Sequence, residues 1–81
     1  MLIRINDYCY DGGKIKVGGC EYAHNSWQEK VINVNAITEI GPINHRDPID
    51  GTVTTWVYHG LGKYPWRVDA ESYKKILEHV K

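Results

Sequence analysis

The chain predicts an α+β fold: a twisted, mostly antiparallel sheet of about five strands with one C-terminal helix packed on it. Three observations lead there. Only Asp69 to Lys81 carries a helical period, with Tyr73, Ile76, Leu77 and Val80 at i, i+3, i+4 and i+7. Upstream, Leu2 to Asn6, Lys14 to Val17 and Thr52 to Tyr58 alternate side-chain character at the strand period of two. Between these runs stand glycine pairs and other turn residues.

The 81 residues suffice for one domain, spanning 1–81, near the small end of what a hydrophobic core can stabilise unaided. Ten basic and ten acidic side chains cancel, which argues against a protein whose main task is to neutralise many phosphates. Zero net charge also gives little protection against self-association, so a homo-oligomer or a standing partner is an expectation. The N-terminal residues have no apolar core of a signal peptide and no run is long enough for a membrane span, so the expected compartment is cytoplasmic, away from membranes. Cys9 and Cys20 are too few for a disulfide framework and are expected as free thiols. Three Trp and six Tyr with no Phe give every large ring a polar handle, which suits half-buried positions and contact surfaces.

In order, Leu2 to Asn6 is a strand that continues through Tyr8 and Tyr10, and Asp11-Gly12-Gly13 is the expected hairpin turn. Lys14 to Val17 returns. Gly18-Gly19 punctuates again, Cys20 to His24 is a short strand or irregular edge, and Asn25-Ser26 marks another turn. Val31, Ile32 and Val34 favour a strand, followed by a second short strand over Ile37 and Ile40; a helical turn at Asn35 to Glu39 competes. Asn44 to Gly51 is the longest surface loop. Thr52 to Tyr58 puts Val53, Thr55 and Val57 on one face and Thr54, Trp56 and Tyr58 on the other. His59 to Lys63 is a hairpin loop, and Tyr64 to Val68 returns with Pro65 marking an edge. Asp69 is the expected N-cap, with Glu71 in the first turn.

The series Val34-Asn35-Ala36-Ile37-Thr38-Glu39-Ile40, a variable loop, the Gly60 to Lys63 hairpin and then Val68-Asp69-Ala70-Glu71-Ser72-Tyr73 resembles the small FlbD-type flagellar regulators of bacteria. It spans residues 33–80. In place of that family's short N-terminal part stand some thirty residues holding both cysteines and Trp27. The resemblance implies a small bacterial or phage accessory protein that acts by binding, with no catalytic residues to carry over.

Several chemistries can be tested against spacing. Gly60-Leu61-Gly62-Lys63 has the Gly-Lys of a phosphate loop, but the required upstream glycine is Val57 and the following residue is Tyr64, so the motif fails. Cys9, Cys20, His24, His45, His59 and His79 are zinc-ligand types without zinc-ligand spacing, so no metal or other cofactor is expected. His45, Arg46, Asp47 and Asp50, with His59, are the most reactive cluster, yet no nucleophile stands with them and an enzyme is not expected.

The rings of Trp56 and Tyr58, with Tyr64 and Trp66 as expected cross-strand neighbours, form either core or a contact face. The candidate binding residues are Trp56, His59, Leu61, Lys63, Trp66 and Arg67, with Leu61 as an apolar tip between glycines. The function expected is a non-enzymatic regulator or inhibitor, of bacterial or phage type, acting on a protein partner. The second reading is a sheet-face binder of single-stranded nucleic acid or a nucleotide, and a small enzyme is the third.

Overall fold

The structure, a computed structural model, describes residues 1–79. Six strands and one helix follow one another: β1 (Leu2–Val17), β2 (Cys20–Asn33), β3 (Ile37–Ile40), β4 (His45–Arg46), β5 (Val53–His59), β6 (Trp66–Val68) and α1 (Ala70–His79). The sheet order is β2-β1-β6-β5-β3, with β4 added on β5, and every pairing is antiparallel. This is the expected α+β fold, with six strands.

The N-terminal part differs from expectation. The hairpin turns at Gly18-Gly19, with Val17 facing Cys20 across it. Both glycines have positive φ, 59° and 83°, the requirement of a two-residue turn that follows the twist of its strands. Asp11-Gly12-Gly13 is no turn: between the pairs Tyr10↔Asn25 and Lys14↔Ala23 its three residues bulge opposite His24. The Asp11 carboxylate stabilises that bulge by accepting from the Gly13 N–H at 2.8 Å and meeting the His24 ring. Asn25-Ser26 lies inside β2, paired with Cys9 and Tyr10. The short strands read from the sequence therefore merge into one long two-stranded arm, and the molecule measures 45 × 22 × 19 Å.

After β2 the chain makes a single 3-10 turn, Val34–Ala36, capped by the Asn33 side chain, before β3 begins. A turn and a strand thus share the stretch where the sequence left the two in competition. Gly41 then crosses close over β5, its N–H donating to the Trp56 carbonyl at 2.7 Å. A Cβ there would meet the Tyr58 ring at 2.7 Å, so any larger residue would have to displace that ring.

The core lies between the sheet and α1. Ile5, Ile32, Val57, Trp66, Val68 and Ile76 form it, with Ile3, Ala36, Ile37, Ile40 and Tyr73 packed at its margin. Asp69 caps the helix as its sequence position predicts, accepting from the Ser72 N–H at 2.8 Å. The buried stripe is rotated from the one expected: Ser72 and Ile76 are buried, whereas Leu77 is 46% exposed. Val80 lies outside the described residues. The rotation has a polar cause, because the Ser72 hydroxyl accepts the Asn6 backbone N–H at 2.8 Å and Asn6 donates its side-chain amide to Asp69 at 3.0 Å. These bonds fix the first turn of α1 against β1, and Leu77 is left on the shoulder.

Candidate binding groove

β1 and β6 are paired at one position only, Asp7↔Val68. Beyond it the strands diverge, and the opening is a groove of about 750 Å³ whose walls are β1 on one side and the 62–67 segment on the other. Asp7 sits at the point of divergence. It is buried, and its carboxylate accepts from the Arg67 backbone N–H at 2.8 Å and from the Lys30 ammonium at 2.6 Å. That hydrogen bond with Asp7 holds the Lys30 pKa above its usual value, against the opposing effect of burial. Cys9 lines the same groove, and burial pushes its thiol up, away from the thiolate.

The other wall is built around His59. Its ring stacks on Trp66, with centroids 3.9 Å apart and planes at 20°. Nδ1 accepts from the Leu61 N–H at 3.2 Å, so Nε2 carries the ring proton and donates to the Tyr64 carbonyl at 2.8 Å. With the loop folded round the imidazole, Leu61 and Tyr64 face outward, 71% and 76% exposed. Lys63 lies beside them, its ammonium 5.9 Å from the Tyr64 ring.

The opposite face of the sheet is covered by the 44–52 loop. The Arg67 guanidinium donates to Asp47 at 2.9 Å and lies 5.3 Å from the Tyr8 ring and 6.0 Å from the Trp56 ring. Tyr8 donates its hydroxyl to Asp50, and the His45 ring packs on Trp56 at 5.1 Å. Burial pushes the Asp47 pKa up, but the Ile49 N–H and Arg67 bonds outweigh it and the net shift is downward. Asp50 is likewise lowered: burial opposes the shift, and the Tyr8 and Thr52 hydrogen bonds overcome it. Tyr8 moves the other way, raised by burial and by its bond to Asp50.

Four of the six predicted site residues, His59, Lys63, Trp66 and Arg67, line the groove. Leu61 stands at the loop tip beside it. Trp56 does not join them: it pairs with Arg67, whereas Trp66 pairs with Val57, so the two tryptophans lie on opposite faces. Trp66 is in the core at 8% exposure and Trp56 is half-buried under His45. Trp56 and Trp66 therefore do not share one aromatic face, because Trp66 is placed by its own pairing one residue out of step with Trp56. The reactive cluster of the 44–52 loop serves anchoring contacts instead, with Arg46 donating to the Gly51 carbonyl at 3.0 Å.

Asp7, Cys9, Tyr10, Gln28 and Lys30 were missed by sequence reasoning. A signal was present. Asp7 continues the inward series Ile3, Ile5, and an acid on the apolar side of a strand requires a partner, which Lys30 supplies.

Among the described residues no helix is long and apolar enough to cross a membrane, and no three His, Cys, Asp or Glu side chains are grouped to hold a metal ion. No protein family, curated protein or solved structure matches the chain.

Proposed function

We propose that this is a non-enzymatic binding protein, a small regulator or inhibitor of bacterial or phage type that engages a protein partner through the His59 to Arg67 segment and its groove. One observation carries the reading: the fold uses a stacked, doubly hydrogen-bonded histidine to hold Leu61 and Tyr64 out of the core, beside a groove of about 750 Å³. An exposed aliphatic and an exposed aromatic side chain on a short, internally braced loop are pre-organised for contact, so little ordering entropy is lost on binding. The resemblance of residues 33–80 to FlbD-type regulators supports the same class.

The test is affinity capture from the native host with the unaltered chain and with a Leu61→Asp, Tyr64→Ser variant. Both positions are exposed, so the thermal midpoint should stay within a few degrees while the captured partner is lost. Retention of the partner by a folded variant would place the contact elsewhere. A chain that captures no protein but binds an oligonucleotide, with affinity falling steeply in salt, would favour the nucleic-acid reading instead.

A further inference from the structure

We infer that the groove takes an extended, acidic peptide segment, which adds as a strand to the free edge of β1 at Tyr10. This deepens the binding reading above and rests on it.

The edge follows from strand geometry. The Asn6 N–H points away from β2, to the Ser72 hydroxyl. Successive residues of a paired strand point their backbone groups to alternate sides, and the β1–β2 register is unbroken from Asn6↔Glu29 through Tyr8↔Trp27 to Tyr10↔Asn25. Tyr8 and Tyr10 therefore present N–H and C=O to the same side as Asn6, the side on which the groove opens. β6 reaches β1 only at Asp7, and the chain preceding β6 enters through Pro65, which has no N–H to offer. Among the described residues, no backbone bond outside the β1–β2 ladder reaches Tyr10. Its peptide groups thus form an open strand edge, flanked by the bulge at Asp11 to Gly13 that ends it.

Side chains fix the kind of segment that fits. Lys30 and Lys63 line the groove against one carboxylate, Asp7, which is already bonded by Lys30 and the Arg67 N–H, while the Arg67 guanidinium is paired with Asp47 on the other face. Among the described residues Lys63 has no acidic partner within ion-pair distance. The excess is positive, so an acidic side chain of the guest is favoured. Tyr10, Pro65 and the edge of the His59–Trp66 stack supply apolar surface for the alternate side chains of an extended chain. Base stacking is less well served, since His59 covers one face of Trp66 and Trp66 is buried.

The experiment uses the whole chain, labelled with nitrogen-15, and four kinds of probe. These are the peptide acetyl-Val-Glu-Val-Glu-Val-amide, two analogues N-methylated at alternate amides, the same peptide with Lys for Glu, and an oligothymidylate. The acidic peptide should shift the Tyr8 to Tyr10 amides and slow hydrogen exchange at Tyr10. One N-methylated analogue should bind about tenfold more weakly, the equivalent of losing one or two net main-chain hydrogen bonds. The Lys peptide should bind more weakly still, and Lys63→Glu should weaken the acidic peptide. Equal binding by both N-methylated analogues, or no response at Tyr8 to Tyr10, would overturn the inference. If no peptide binds while a captured partner is still lost on Leu61→Asp, Tyr64→Ser, strand addition falls and the broader reading stands. If the oligothymidylate alone binds in the groove and no partner is captured, both fall.

Discussion

The two faces of the sheet are held by different physics, although the same strands build both. Toward α1, Ile5, Val57 and Val68 meet Ile76 in a dry aliphatic core. Toward the 44–52 loop, the residues alternating with them, Tyr8, Trp56 and Arg67, meet His45, Asp47 and Asp50. Burial of apolar area, which has no direction and no pH dependence, is the main support of the first face, with the Asp7–Lys30 and Ser72–Asn6–Asp69 bonds at its margin. The second depends on a few directional bonds to charged groups, and His45 Nδ1, Thr54 Oγ1, Trp56 Nε1 and Arg67 Nε are buried there without a hydrogen-bond partner among the described residues. Rigidity therefore resides on the helix side, and the loop side is the part that conditions can loosen.

The largest expected effect is on the helix side. Ile76 is fully buried, so Ile76→Ala should cost about 2–5 kcal/mol in denaturant unfolding, the cost of lost transfer energy plus a cavity. Leu77→Ala, one residue on, should cost about 1 kcal/mol or less because that side chain is already half in water. Equal losses would mean that the apolar stripe, and not the Ser72–Asn6 bond, sets the rotation of α1.

On the loop side, Arg67→Met keeps an unbranched stem over Tyr8 and Trp56 but leaves the Asp47 carboxylate without its ion pair. Full burial would make that loss about 3–5 kcal/mol. Here the side chains retain 19% and 11% exposure and Asp47 keeps the Ile49 N–H, so about 2 kcal/mol is expected. A double-mutant cycle with Asp47→Asn measures the coupling, and a value near zero would show that the loop is held by other contacts.

Acid should separate the two faces. Asp47, Asp50 and Asp69 all have lowered pKa values: burial opposes the shift in each, and hydrogen bonds from Ile49 and Arg67, from Tyr8 and Thr52, and from Ser72 and Asn6 outweigh it. A carboxylate with a depressed folded pKa contributes stability that is present above its unfolded value, about 3.9, and lost as pH falls through the folded value. Two of the three anchor the loop, so amide protection at Ile49 and Thr52 should fall at a higher pH than protection at Ile76. Loss at one common pH would make the faces a single cooperative unit. In base the sign reverses: Lys30 and Tyr8 are raised, so their contributions are complete below the unfolded values, about 10.4 and 10, and are lost as pH rises through the folded ones.

The sequence carried the body of the fold better than the arm. Alternation over Thr52 to Tyr58 and the cap at Asp69 are local signals with local consequences, and both appear where expected. The arm depends on choosing between two glycine pairs, Gly12-Gly13 and Gly18-Gly19, and either could supply a turn. What decides is the pairing of Tyr8 with Trp27 and Ile3 with Ile32, which is non-local. The site was half legible for the same reason. His59, Lys63, Trp66 and Arg67 are near one another in sequence, while Asp7 and Lys30 meet them only through the sheet order.

The smallest expected effect bears on the loop face most directly. Thr54 is 1% exposed, lies opposite His45 in the β4–β5 pair, and its hydroxyl is among the buried groups without a partner. Val has nearly the shape of Thr and the same stiffness at χ1, so Thr54→Val removes a polar atom while changing little else. If the hydroxyl is unbonded, its desolvation cost disappears and the chain should be unchanged or more stable by up to about 1 kcal/mol. The same exchange at a bonded threonine would destabilise by a similar amount. The sign of the change in denaturant midpoint, read at constant slope, is therefore the test. A gain would establish the loop face as the strained one, where polar burial is tolerated to keep the loop against Tyr8 and Arg67. A loss would show that the Thr54 hydroxyl is bonded when the chain is in solution, and that this face is as well satisfied as the helix side.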